Sequence, residues 1–126
     1  MSNFVEEGPF CPVYHNAIEL IGRRWTGVVL RALMSDVHRF SDLTGVIPGL
    51  SDRMLAARLN ELQREGLVVR RIFPETPVRI EYHLTEKGQA LARVVQEISD
   101  WAGEWLGDPD HAATHAGAAP AQPITS

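Results

Sequence analysis

SDRMLAARLNELQRE, Ser51–Glu65, is the stretch on which the reading of this chain turns. A serine opens a run of good helix formers and Gly66 follows it, a start and a stop for a helix of about four turns. At 100° per residue Leu55, Leu59 and Leu62 fall in one narrow stripe that must be buried for the helix to persist in water. Arg53, Ala57, Asn60 and Arg64 lie opposite, and none of the four is an apolar residue larger than alanine. Taken alone, such a face suits an ordinary solvated helix. It also suits a helix laid in the major groove of DNA, where arginine grips guanine, asparagine grips adenine and alanine allows close approach.

The next residues favour the second reading. Leu67–Phe73 and Val78–Leu84 are β-branched and aromatic runs on either side of Pro74-Glu-Thr-Pro77, which predicts a hairpin. A helix leading into a basic hairpin is the layout of a winged helix-turn-helix, with helix 51–65 in the groove and wing 67–84 along the flanking backbone or minor groove. The expected fold class is mainly α with a small antiparallel β-hairpin.

Working towards the N-terminus, Ser41 and Asp42 are expected to cap a short helix, Leu43 to Val46, that ends at Ile47-Pro48-Gly49. Arg39-Phe40 is expected to make a brief strand against the hairpin. A mostly apolar helix is predicted from about Trp25 to Met34. Before it, Pro12 starts a helix to about Ile21, with Cys11 as a weak cap, Val13, Ala17, Ile18 and Ile21 grouped, and Gly22 as the stop. Beyond the wing, Thr85 caps a last helix, Glu86 to about Leu106, whose apolar set is Leu91, Val94, Val95, Ile98, Trp101, Ala102 and Trp105.

Residues 1–10 are read as an N-terminal arm, 11–106 as one folded unit and 107–126 as a disordered tail. That tail is rich in Ala, Gly and Pro and holds a single large aliphatic residue, Ile124. A chain of 126 residues with 44% hydrophobic and 22% charged residues has room for one ordinary core. With no apolar run long enough for a membrane and an acidic start unlike a secretory signal, the chain is expected in the cytoplasm.

The net charge of −4 divides unevenly: all 12 basic residues lie between Arg23 and Arg93, where the balance is +4, against −8 outside. Phosphate attraction depends on the local patch, so an acidic total does not exclude DNA. A single cysteine forbids an internal disulfide or a multi-cysteine zinc site. His111 and His115 are four apart but have no rigid frame, so no metal is expected there, and no cofactor. Phosphate-loop, dinucleotide and nucleophile-elbow motifs are missing, and His15, His38 and His83 lack an evident acid or nucleophile at a useful spacing, so an enzyme is not expected.

In this order, Cys11-Pro12-Val13, Leu20-Ile21-Gly22 with Arg24-Trp25-Thr26, Arg39-Phe40 with Asp42-Leu43, and Pro48-Gly49 with Ser51, Met54-Leu55 and Arg58-Leu59 form one pattern. It continues through Glu65-Gly66-Leu67-Val68 and Glu81-Tyr82-His83-Leu84-Thr85-Glu86-Lys87-Gly88. The pattern resembles the HxlR-type transcriptional regulators, relatives of the MarR group, over about residues 11 to 106. The resemblance implies a bacterial homodimer on double-stranded DNA, a pseudo-palindromic operator, and first and last helices that build the dimer. Val13, Ala17, Ile98, Trp101 and Trp105 are then interface residues; otherwise the two tryptophans pack on the first helix of their own subunit.

Within that reading Arg53, Ala56, Ala57 and Asn60 face base edges, and Ser51 caps its helix while neighbouring amides meet a phosphate. Arg23, Arg24, Arg39 and Arg64 are candidate backbone contacts, Arg58 serves a phosphate or a salt bridge, and Arg79 is the wing residue for the minor groove. Arg70 or Arg71 is placed to pair with Glu81 across the hairpin.

Cys11 has two readings. Some relatives sense oxidants, quinones or aldehydes with a cysteine near this position, and a helix start favours a thiolate. Against this, Glu6 and Glu7 disfavour the thiolate and no second cysteine can resolve it. Two alternatives stand beside DNA binding: a winged-helix module for a protein partner, and a small-molecule effector held at the dimer interface by Trp25, Val29, Trp101 or their neighbours.

Overall fold

Leu55, Leu59 and Leu62 are 0%, 1% and 1% exposed in the computed structural model, which describes residues 11–107. The expected arm and most of the expected tail, with Glu6, Glu7, His111 and His115, lie outside those residues. The elements run α1 (Pro12–Ile21), α2 (Thr26–Met34), α3 (Phe40–Val46), α4 (Asp52–Arg64), β1 (Val68–Phe73), β2 (Arg79–Leu84) and α5 (Glu86–Leu106). The strands are antiparallel, from Val68 opposite Leu84 to Phe73 opposite Arg79. Together they make the winged helix-turn-helix that the sequence predicts.

The core lies beneath α4. Val29, Leu30 and Leu33 of α2, Leu43 of α3 and Leu67 just past α4 join the leucine stripe and are almost wholly enclosed. Ser51 caps α4 by accepting the Met54 N–H at 3.1 Å, so the serine at the start of the organising stretch does what its position requires. Gly66, at φ +76°, takes the left-handed conformation that ends the helix and turns the chain into β1.

Three expectations need correction. First, α3 begins at Phe40, so Ser41 and Asp42 lie in its first turn instead of capping it. The Arg39 carbonyl accepts the Leu43 N–H at 2.9 Å and starts the helix there. Of Arg39 and Phe40, Arg39 alone forms a strand-like bridge to the hairpin, at Glu81. Second, Trp25 precedes α2 in a left-handed conformation, φ 75°, with its ring against Gly49 in the turn between α3 and α4.

Third, the apolar set of α5 splits. Gly88, Ala92, Val95 and Gly103 are its buried residues, whereas Val94, Ile98, Trp101 and Trp105 are 48–56% exposed. Small residues let α5 approach the domain closely, and a β-carbon at Gly27 of α2 would stand 3.4 Å from Val95. The bulky residues are left on the outside. Each tryptophan thus keeps about half of its surface open, and α1 likewise has no buried residue, with Val13 78% exposed.

Candidate nucleic-acid interface

With its leucines turned inward, α4 presents its other side to solvent. Arg53, Ala56, Asn60 and Arg64 are exposed and Ala57 is half-buried. Asp52 and the Ser51 cap sit at the helix's positive end, where backbone N–H groups point outward. The turn from Ile47 to Ser51 sets α4 against α3, and Gly49 takes φ +83° beneath the Trp25 ring. Arg24 stacks its guanidinium 5.2 Å from the centre of that ring.

The other candidate arginines differ in freedom. Arg39 is exposed at the start of α3. Arg23 reaches Glu61 at 3.2 Å and Arg58 reaches the same carboxylate at 3.4 Å, with the Arg58 side chain only 14% exposed. Arg58 Nε is buried without a hydrogen-bond partner. Its geometry is therefore that of the salt bridge, one of the two roles open to it, and Glu61 links the loop before α2 to α4.

On the wing, Glu81 does not pair with Arg70 or Arg71. Alternation along β2 puts positions 79, 81 and 83 on one face, and Glu81 accepts from Arg79 and, at 2.7 Å, from His83 Nε2. Arg71 is opposite Glu81 in register but stays exposed, as does Arg70. The carboxyl of Glu81 is held below the usual carboxylate range by the His83 hydrogen bond, against burial, and then by Arg79. His83 stacks on His38 with ring centres 3.8 Å apart, and His38 Nδ1 donates to the Tyr82 carbonyl at 3.0 Å. The acid partner of His83 was thus missed in the sequence, although a spacing of two on a strand is the signal for it.

This architecture has close counterparts. The sequence pattern of the HxlR-like helix-turn-helix family matches residues 20–110. The chain belongs to that family. YvaP of Bacillus subtilis, an HTH-type transcriptional regulator, is 45% identical over 105 residues, covering 83% of this chain and 96% of that one. The reduced form of the B. subtilis regulator YodB superimposes with a TM-score of 0.67 at 45% identity, covering 75% of this chain and 93% of YodB. Quinone-bound YodB gives 0.62 at 42% identity over 73% and 97% of the two chains. This HxlR-family chain is thus a transcriptional regulator with a helix-turn-helix domain, in a family of regulators and not of enzymes. Among the described residues no helix is long and apolar enough to cross a membrane.

Proposed function

We propose that this regulator acts in the cytoplasm as a homodimer on a specific, pseudo-palindromic stretch of double-stranded DNA. In this reading α4 enters the major groove and the wing lies on the flanking backbone or minor groove. The observation that carries it is the exposed side of α4, where Arg53 and Asn60 stand free opposite a sealed leucine stripe. Arg53 and Asn60 read base edges, Ala56 and Ala57 let the helix approach, and the amides behind Ser51 meet a phosphate. Arg23, Arg24, Arg39, Arg64 and Arg79 serve the backbone, while Arg58 works through Glu61. The exposed residues of α1 and α5, Val13, Ala17, Ile98, Trp101 and Trp105, supply the interface that pairs two such helices.

Footprinting on the DNA upstream of the chain's own coding region tests this. The expected result is protection of two inverted half-sites about one helical turn, roughly 34 Å, apart. A single protected half-site would exclude the paired docking. Binding should also weaken steeply from low to moderate salt, whereas an apolar protein interface would barely respond. On the protected site, replacing Arg53 or Asn60 by Ala is expected to cost about 1–3 kcal/mol each, measured by anisotropy. Asn60→Ala should leave binding to random-sequence DNA nearly unchanged.

A second reading, control of DNA binding by electrophiles at Cys11, has its own support. Cys11 is 8% exposed, and its Sγ accepts the Tyr14 N–H at 3.3 Å, capping the helix that carries Val13 and Ala17. A bulky adduct there would have to displace the start of α1 and with it the proposed interface. The relative YodB has been solved with quinone bound. Benzoquinone treatment is expected to add mass at Cys11 and release DNA, with Cys11→Ser binding DNA but not responding. An equal response by Cys11→Ser would remove this reading. Within one subunit Val29 is sealed in the core while Trp101 faces out, so an effector site lined by both is not formed there.

A further inference from the structure

Arg79, the wing residue proposed for DNA, is already gripped by the protein. Its Nε and one NH2 group donate to the two oxygens of Glu75 at 3.4 and 2.8 Å, a fork-to-fork pairing of the kind guanidinium makes with phosphate. Its other terminal nitrogen donates to Glu81, and the guanidinium carbon lies 3.9 Å from the centre of the Phe73 ring. The two carboxylates are held unequally. Glu81 is 14% exposed and also accepts from His83, which stacks on His38 of the α2–α3 link. Glu75 is 52% exposed in the hairpin turn, and Arg79 is its ion-pair partner.

We infer that Glu75 is a built-in competitor of DNA: its carboxylate occupies the edge of Arg79 that a backbone phosphate would take, and DNA binding exchanges one for the other. Glu81 stays in place and, with Phe73, keeps the guanidinium aimed. The inference rests on the DNA-binding reading above. Paired with Glu75, Arg79 has little charge left to draw in a phosphate, and displacing that carboxylate frees the edge of the guanidinium it covers. The Arg79 hydrogen bond holds the Glu75 carboxyl below its ordinary range. Nearby, Arg39 and Ser41 line the same open groove of about 410 Å³ as Glu75 and Arg79, leaving space beside the pair for a backbone segment. Such a competitor lowers affinity on every sequence alike.

The test uses the full chain and fluorescein-labelled duplex DNA of random sequence, titrated by anisotropy at several salt concentrations. Glu75→Gln removes the charge and keeps the size of the side chain. It is expected to bind roughly two- to fivefold tighter for each wing engaged, the span of one exposed ion pair. Its plot of log affinity against log salt should run nearly parallel to the parent's, because Arg79 meets the same phosphate in both complexes. Arg79→Ala should flatten that plot by about 0.9 per wing, and adding Glu75→Gln to Arg79→Ala should then change nothing. If Glu75→Gln tightens binding equally without Arg79, only general repulsion has been relieved and the inference fails. It fails also if Glu75→Gln, melting like the parent, binds as the parent does. Absence of binding by the parent at low salt would instead remove the DNA reading on which this one stands.

Discussion

Gly88→Ala lowers the melting temperature by roughly 10–25 °C, the shift expected for about 3 kcal/mol lost from a domain of this size. The reason is local. A β-carbon at position 88 would stand 2.0 Å from the Leu67 carbonyl oxygen and 3.1 Å from Leu84 Cδ2. The carbonyl cannot easily retreat, because it accepts the Thr85 N–H at 3.0 Å and belongs to a residue that is 1% exposed directly behind α4. Thr85 in turn caps α5 through the Gly88 N–H and donates to the Gly66 carbonyl. Moving α5 outward would strain the end of α4 and the base of the wing together. The sign is diagnostic, since glycine to alanine inside an unhindered helix gains up to about 1 kcal/mol. A thermal melt followed by circular dichroism reads it, and a variant as stable as the parent would mean that α5 does not lie this close.

Trp101→Glu converts the proposed dimer to monomers and weakens operator binding by between about a hundredfold and ten-thousandfold, the range that linking two half-site readers supplies. Trp101 is 56% exposed in a single subunit, beside Ile98 and Trp105 at 49% and 48%, so in the isolated fold the new carboxylate can reach water. In a closed interface the same carboxylate would be buried twice over, once from each copy, without a partner. Sedimentation velocity gives the subunit count, and the same sample titrated onto the footprinted site gives the affinity. Wild-type mass with wild-type affinity would place the interface elsewhere.

The sequence made some features legible because their causes are local. Ser51 and Gly66 bound a helix through backbone valences that they satisfy or turn themselves. The leucine stripe of α4 is buried because its spacing allows no other solution, and the exposure of Arg53 and Asn60 follows from the same geometry. On α5 the same reasoning found the helix and two residues of its inner side, Leu91 and Val95, but not the small residues beside them. Periodicity ranks residues by apolarity, so it selected the tryptophans, whereas close packing selected Gly88, Ala92 and Gly103. The start of α3 was missed for a related reason: its first hydrogen bond uses the Arg39 carbonyl, a backbone group that no side chain announces.

Among charged residues the division is sharper. Composition showed a basic middle section, yet which of its arginines are free depends on carboxylates distant in sequence or across a turn. Glu61 holds Arg23 from 38 residues away, and Glu75 and Glu81 enclose Arg79.

By itself, then, the sequence determined the order of elements, the helix that turns a polar side outward and the family to which the chain belongs, because each depends on neighbours within a few residues. Only the tertiary structure decided which side of α5 is spent on the core, which apolar residues it leaves exposed and which arginines are held by carboxylates. Those outcomes depend on what the folded chain brings within a few ångströms, and the spacing of residues along one element carries no record of that.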